Sequence, residues 1–482
     1  MSKRALALVL AVAAVVRLGL LLASLAGHFT LSEGRHAGYL LRGYGLALGY
    51  GLVEVRGKPE YRGHLGRLRQ AIEAGGEPER AEAAYARAGI HFEPTLDHPP
   101  GIYLLVAAAY RLFGVPAELP LRLLGVLLDT LAAGLFYWII ATTLGPLMGV
   151  IAGILYAIYP PLAMTSIAME PDGLLPVFLL AVLGSVIQGT RALPGRCWTW
   201  DIAAGGALGL GSYLRPDFLP IPLVFFLCLW FWTRKPVLSA RRMVLVQAVA
   251  LIVLMPWAIR NHALSGKWIF TSTSAGGVLI NGLGSFENPW GFGYDDAALW
   301  QLAASEGIDG PFTPDGDAHF RALFLESIRS EPLAYAESVA RRLPLAIATP
   351  YELGYRARDT GKTFAMLRAE GLDRYEALRQ QPLAIAKAYA VPLSMAGLTF
   401  VCLLSCIAML VCERRVLPVL ALLLSLHVYS IASHSLVNLH PRYLVPTSFC
   451  WLIGLACVVG FAIARGHSPI VLPGAIAEPR SA

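Results

Sequence analysis

Ten side chains stand out because each one borders or interrupts an apolar stretch. Glu33 sits in Ser32-Glu33-Gly34-Arg35-His36-Ala37-Gly38-Tyr39, and Asp97 and His98 precede Pro99-Pro100. Glu170 and Asp172 flank Pro171, Arg215 opens Arg215-Pro216-Asp217, Arg260 follows Pro256-Trp257, and His440, Arg442 and Tyr443 lie near the C-terminal end. A carboxylate so placed can take a proton from a hydroxyl. Arginine forks and histidines can hold a phosphate or stabilise charge that develops on it. Each residue also has a plain alternative. A lone charge at the end of an apolar run is most often a solvated anchor, Pro99-Pro100 can simply start a helix, Asp172 can cap one, and Arg215 can pair with Asp217. The functional reading rests on the whole set facing one side.

The elements that must position these residues are membrane spans. Hydrophobic residues make up 56% of the 482 and charged residues only 15%, against roughly 25% charged in a soluble domain. So apolar a chain must bury its surface in lipid, because no single soluble core grows to that size. The fold class expected is an all-α polytopic membrane bundle of about 11 spans. The candidate runs lie near 4–27, 99–114, 117–142, 145–168, 172–190, 200–214, 216–233, 241–259, 386–411, 416–434 and 441–464, each near the ~20 residues that cross ~30 Å of hydrocarbon. The first run is longer than the apolar part of a signal peptide and is read as a helix that stays. The net charge of +7 does not point to nucleic acid, since the basic residues flank apolar runs as topology determinants do. None of the seven cysteines falls in a long polar loop, so no disulfide framework is visible.

The resulting order is a first span (1–27), a polar loop with interfacial helices (28–97), a transmembrane core (98–260), a second polar loop with amphipathic helices (261–382), C-terminal spans (383–465) and a short tail (466–482). Basic short loops around Lys3/Arg4, Arg191/Arg196, Arg234–Arg242, Arg414/Arg415 and Arg465 place those ends in the cytoplasm and both long loops outside. Three apolar runs then separate the first loop from Glu170, although both should be outside. One of the three must be re-entrant or lie on the surface. Residues 77–90 have helical composition. Apolar positions at Phe320, Leu323, Phe324, Ile328, Leu333, Tyr335, Val339 and Leu343 predict two helices meeting near Pro332.

Acids, arginines and histidines gathered outside a membrane bundle suit sugar transfer from a phosphate-linked carrier. The acceptor hydroxyl needs a carboxylate base, as in inverting glycoside chemistry. The phosphate leaving group needs positive charge more than a general acid, from arginine, histidine or a divalent metal. A carrier with a long isoprenoid tail also requires a site at the lipid boundary.

The motifs resemble those of the bacterial members of glycosyltransferase family 39, the GT-C-fold group that includes protein O-mannosyltransferases and the aminoarabinose transferase of lipid A. The resemblance is carried by Glu33-Gly34-Arg35-His36-Ala37 with Leu48-Gly49-Tyr50-Gly51, by His98-Pro99-Pro100-Gly101-Ile102-Tyr103-Leu104-Leu105 ending in Arg111-Leu112-Phe113-Gly114, by Pro256-Trp257-Ala258-Ile259-Arg260-Asn261 with Gly266-Lys267 and Asn281-Gly282, and by His440-Pro441-Arg442-Tyr443-Leu444-Val445-Pro446. It implies a polyprenyl-phosphate sugar donor, a lipid, glycan or protein acceptor, inversion, a bacterial inner-membrane location and an active site facing the periplasm or exterior. It makes Glu33 the base, with Asp97 the other candidate because Ser32 stands where many members carry Asp. Arg260, Arg442 and Arg215 would bind the donor phosphate, and His98, Glu170, Asp172, His440 and Tyr443 would line the site. Some members hold a divalent metal near the donor phosphate, and Asp97 and His98 would then contribute its ligands, although two adjacent residues make a small donor set. The alternatives are an oligosaccharide ligase, a flippase of carrier-linked glycans and an inactive scaffold. A transporter would place its polar residues at the bilayer midplane, whereas these acids lie at span ends.

Overall fold

The computed structural model describes residues 2–31, 33–47, 49, 51–56, 91–113, 118–192, 196–234, 236–348, 355–357, 376, 379–412 and 417–465. Almost all of this is helix. The chain opens with α1 (Lys3–Leu25), followed by β1 (Phe29–Leu31), α2 (Glu33–Ala47), β2 (Val53–Arg56) and β3 (His91–Pro94). The core helices are α3 (Gly101–Phe113), α4 (Glu118–Leu144), α5 (Pro146–Ile158), α6 (Pro160–Ser166), α7 (Pro171–Arg191), α8 (Cys197–Ser212), α9 (Ile221–Thr233) and α10 (Pro236–Ser265). Then come α11 (Ala275–Leu283), α12 (Asp296–Ser305), α13 (Pro314–Ser330), α14 (Pro332–Ala348), β4 (Tyr355–Ala357), α15 (Pro382–Cys412), α16 (Leu417–Leu436) and α17 (Phe449–Arg465). The strands form two short antiparallel ladders, β1 with β4 and β2 with β3. Many helices open on proline, whose fixed φ and missing N–H cost nothing in a first turn.

Among the described residues six helices are long and apolar enough to cross a membrane, α1, α4, α7, α10 and the apolar parts of α15 and α16, and α5 with α6 makes a seventh bent by 58°. Gly101–Phe113, Pro216–Phe231 and Phe449–Ile463 are apolar but shorter, so among the described residues the helices long enough to span number fewer than the eleven expected. The clearest difference is α3. Thirteen residues reach about 20 Å, and both ends of α3 lie on one side. Its first residue, Gly101, donates to Tyr213 O at 2.8 Å beside the cavity described below. Its far end leads to α4, whose start lies level with the end of α1. The pairing of α1 with α4 fixes this level: Arg17 meets Asp129, Gly134 packs on Leu10, and Tyr137 Oη reaches Ser2 O. The surplus apolar run before Glu170 is thus α3, which lies along the bundle while α4 and α5–α6 cross it.

Two buried ion pairs pin the bundle. At one level Arg17 Nε donates to Asp129 Oδ2 at 2.5 Å, Tyr156 Oη donates to Asp129 Oδ1 at 2.6 Å, and Arg17 Nη1 donates to Ala157 O at 2.8 Å, next to the α5–α6 break. At the far end Arg242 on α10 forks onto Asp201 on α8, with its Nη2 at 2.7 Å from Oδ1. Around these pairs one apolar core joins Phe136, Tyr156, Leu183, Leu420 and Phe449.

The second long loop folds on its own core of Ile280, Leu283, Leu299, Ala303, Phe320 and Phe324. Its last two helices, α13 and α14, break at Glu331 and Pro332, as the sequence predicts. Residues 77–90, Ser32 and the tail lie outside the described residues, as does the side chain of Glu33. Six of the cysteines are free thiols.

Candidate active site

A cavity of about 1460 Å³ lies between one end of the bundle and the second-loop helices. On the bundle side its wall carries Tyr39, Asp97, Asp172, Arg215, Arg442 and Tyr443, from five separate parts of the chain. On the other side it carries Asn281, Trp300, Gln301 and Phe312. The two walls are tied close to Asp97, where Thr273 N donates to Leu96 O at 2.9 Å.

Asp97 is 2% exposed and fully engaged. Arg42 Nη1 lies 2.8 Å from its Oδ2, His98 Nδ1 lies 2.9 Å from the same oxygen, and Thr95 Oγ1 donates to Oδ1. Burial works against the charge, but His98, Arg42 and the hydrogen bonds outweigh it and hold the carboxyl well below the usual carboxylate range. A carboxylate so stabilised is a weak base. The same pairing bears on the expected metal ligands. Asp97 and His98 point at each other instead of at a shared ion, and among the described residues no group of three or more His, Cys, Asp or Glu is placed to hold a metal.

Arg215 is likewise committed. It pairs with Asp172 through Nη1 and forks onto Asp217, with Nε to Oδ1 at 3.1 Å and Nη2 to Oδ2 at 3.0 Å. His434 Nε2 lies 3.3 Å from Asp217 Oδ2 on the other side. Asp172 sits in the first turn of α7 but serves Arg215 there, and Glu170 occupies the N-cap position without a side-chain cap bond.

Arg442 differs. Its Nε and Nη1 are shielded from water and have no hydrogen-bond partner among the described residues. Glu170 Oε1 lies 3.9 Å from Nη1, beyond hydrogen-bond range, and Nη2 reaches only Tyr443 Oη at 3.5 Å. Both guanidiniums lie close to the Tyr443 ring, Arg215 at 4.3 Å from its centroid and Arg442 at 5.0 Å. An aromatic face attracts a cation within this range. Tyr39, whose hydroxyl burial pushes up to about 12, faces the same charges.

Not every expected residue reaches the cavity. Arg260 is turned away from it. Its Nη1 donates to Thr95 O at 2.8 Å and its Nη2 to Leu52 O at 3.0 Å, while its guanidinium stacks on Trp257 at 4.5 Å. It tethers the segment that carries Asp97, because a fork at a span end satisfies nearby carbonyls as readily as a phosphate. Glu170 and His440 stand one layer behind the wall, near Arg442 and Tyr443. Glu33 opens α2, the helix that brings Tyr39 and Arg42 to the cavity.

The sequence reading missed several contributors. Arg42 and His434 looked like ordinary members of a helix, although a histidine among the serines of the apolar Ser430–Ser435 stretch was a usable signal. Arg342 gave no signal. It is 1% exposed and donates to Ser435 O at 3.0 Å, Val437 O at 3.1 Å, Ser338 Oγ at 2.8 Å and Gly282 O.

The searches of known proteins add to this geometry. No curated protein sequence matches the chain. Among solved structures, it is similar to the Archaeoglobus fulgidus oligosaccharyltransferase in complex with Zn and sulfate, at 15% identity and a TM-score of 0.43 over 94% of this chain and 49% of that one. The same organism's oligosaccharyltransferase AglB, with an inhibitory peptide and a dolichol-phosphate, aligns at 14% identity and a TM-score of 0.43 over 97% and 52%. ArnT from Cupriavidus metallidurans bound to undecaprenyl phosphate aligns at 17% identity and 0.31 over 87% and 76%. The chain spans about half the length of the two oligosaccharyltransferases. Residues 97–259, from Asp97 through the core helices to the residue before Arg260, match the family model for dolichyl-phosphate-mannose-protein mannosyltransferases, and over that stretch the chain carries this membrane glycosyltransferase family's pattern.

Proposed function

We propose that the chain transfers a sugar from a polyprenyl-phosphate carrier to an acceptor hydroxyl, at a site facing the outside of a bacterial inner membrane. The observation that carries this reading is Arg442. Two of its guanidinium nitrogens lie buried without a hydrogen-bond partner at the edge of a large cavity in a membrane bundle, with Glu170 no nearer than 3.9 Å to Nη1, beside an Arg215 already neutralised by Asp172 and Asp217. Buried donors left unpaired are costly, and a phosphodiester oxygen is the acceptor that a planar fork suits best. Arg442 thus binds the donor phosphate and stabilises the charge that grows on it as the glycosidic bond breaks. Arg215 holds Tyr443 and the neighbouring acids in place behind it.

Glu33 is the proposed base: it takes the proton of the acceptor hydroxyl, whose oxygen bonds to the anomeric carbon on the face opposite the phosphate as the bond to the phosphate breaks and the lipid phosphate leaves, which inverts that carbon. Asp97 is a poor candidate, because Arg42, His98 and Thr95 occupy its oxygens. Its part is to fix the Thr95–His98 segment and present His98, which is 46% exposed, to the cavity. Acceptor choice is assigned to the opposite wall, where Trp300, Gln301 and Phe312 face the same space.

The test is turnover of a panel of radiolabelled undecaprenyl-phosphate monosaccharides by purified protein in lipid, with Glu33→Gln beside the wild type. Consumption of one donor, lost in Glu33→Gln while carrier binding persists, is the expected result. Binding of carrier without consumption of any donor would remove the transferase reading in favour of a transporter. Full activity in Glu33→Gln would remove the base assignment alone.

A further inference from the structure

The cavity holds two more polar groups that sugar transfer has not yet used. Asn438 is 6% exposed and lines the cavity, and its Oδ1 is shielded from water with no partner among the described residues. Asn281 lines the same cavity from the second-loop side, and its Oδ1 is unpartnered in the same way. The two are brought together by the closest approach between the loop helices and the bundle. A Cβ added to Gly282 would meet Val437 O at 1.7 Å and Asn438 Cα at 3.4 Å, so only glycine allows α11 to lie against this backbone. Arg342 locks the contact from behind by donating to carbonyls on both sides of it, Gly282 O and Val437 O. Asn438 stands four residues before Arg442, on the segment that carries the proposed phosphate contact.

From this arrangement we infer that Asn281 and Asn438 form the subsite that reads the hydroxyl groups of the donor's sugar, a deepening of the proposed transfer reaction that rests on it. A carboxamide oxygen accepts hydrogen bonds, so its ligand must donate. A lipid-phosphate sugar has three chemical parts. The isoprenoid tail has no polar hydrogen, and the phosphodiester has acceptors only. The sugar ring, rich in hydroxyls, is the part that satisfies both oxygens. Its place also follows from covalent structure, because the ring is bonded directly to the phosphate and must lie within a ring's length of Arg442. A site built to hydrogen-bond a given hydroxyl discriminates strongly against a ligand that lacks it or turns it away, since the buried oxygen is then left unpaired.

The experiment compares wild type, Asn281→Ala and Asn438→Ala in lipid, on undecaprenyl-phosphate monosaccharides that differ at single ring hydroxyls and on sugar-free undecaprenyl phosphate. In both variants the expected result is a KM for the preferred donor raised on the order of tenfold, a flattened preference among epimers, and binding of the sugar-free carrier within about twofold of wild type. Unchanged donor KM and epimer preference in both variants would overturn the subsite, and so would a change confined to the acceptor's KM. If Asn438→Ala does not fold, Asn281→Ser, at the less enclosed position, carries the same expectation, read as equilibrium preference for sugar-bearing over sugar-free carrier. A wild type that binds neither carrier would overturn the transferase reading and this one with it. A wild type that turns over donor while the variants keep its selectivity would overturn the subsite alone.

Discussion

Replacing Arg342 by Met tests how the outer helices are held to the membrane bundle. Methionine fills much of the same volume, so the change isolates the guanidinium. The wild-type side chain is 1% exposed and satisfies Ser435 O, Val437 O and Gly282 O together with Ser338 Oγ. Its loss strands three carbonyls in a place with little water. At about 1 kcal/mol or more for each buried acceptor left without a donor, the contact between α11 and residues 435–438 weakens by roughly 3 kcal/mol. Each 1.4 kcal/mol is a factor of ten, so local opening becomes on the order of a hundredfold more frequent. Hydrogen–deuterium exchange of the protein in nanodiscs reads this directly. Amides of residues 275–283 and 435–443 should exchange about a hundredfold faster, while those of α1 and α4, far from the staple, stay as protected as before. Exchange within threefold of wild type in the first two stretches, or a uniform rise everywhere, would refute the view that Arg342 is the local fastener.

Two other outcomes follow from the ion pairs. Asp97→Asn leaves Arg42 and His98 without their anchor and should cost on the order of 3 kcal/mol near neutral pH. Because the folded carboxyl titrates below its unfolded value, this contribution is present above pH ~4 and is lost as pH falls through the folded pKa. The gap in thermal stability between wild type and Asp97→Asn should therefore narrow on acidification, and a gap that widens would contradict the pairing. In the bundle, Asp129→Leu alone should destabilise more than Arg17→Met with Asp129→Leu, since the single change buries an uncompensated guanidinium. Unfolding temperatures in one detergent decide between them, and a double variant worse than the single would count against it.

Much of this architecture was legible before any coordinates. Apolar runs marked the helices long enough to span, Pro332 marked the junction of α13 and α14, and the spacing of Phe320, Phe324, Ile328 and Tyr335 gave those two helices, because burial and backbone sterics act locally. Crossing against lying flat was not legible for α3, since a short apolar run satisfies both and only its neighbours decide. Of the ionisable residues beside apolar runs, singled out because charge there is expensive, Asp97, His98, Asp172, Arg215 and Arg442 line one cavity. Their partners were hidden. Arg260, Arg215 and Arg442 look alike in sequence, yet one holds carbonyls, one holds two carboxylates, and one keeps two nitrogens unpaired. Arg342 and Arg17 act largely on main-chain oxygens, and carbonyls carry no mark in the sequence of where a distant helix will bring them.

Gly282 gives the outer wall a fixed address. Where two backbones touch with no side chain between them, the separation is set by atoms that every residue shares, so substitution elsewhere on the wall leaves it alone. Trp300, Gln301 or Phe312 can be exchanged for other side chains and the surface they present will change in shape and polarity. Its distance from the membrane-embedded half will not. For the proposed transferase, a scaffold of this kind lets one face take new clients while the opposite face keeps its alignment, and its tolerance for change ends at Gly282 and the Arg342 that locks it.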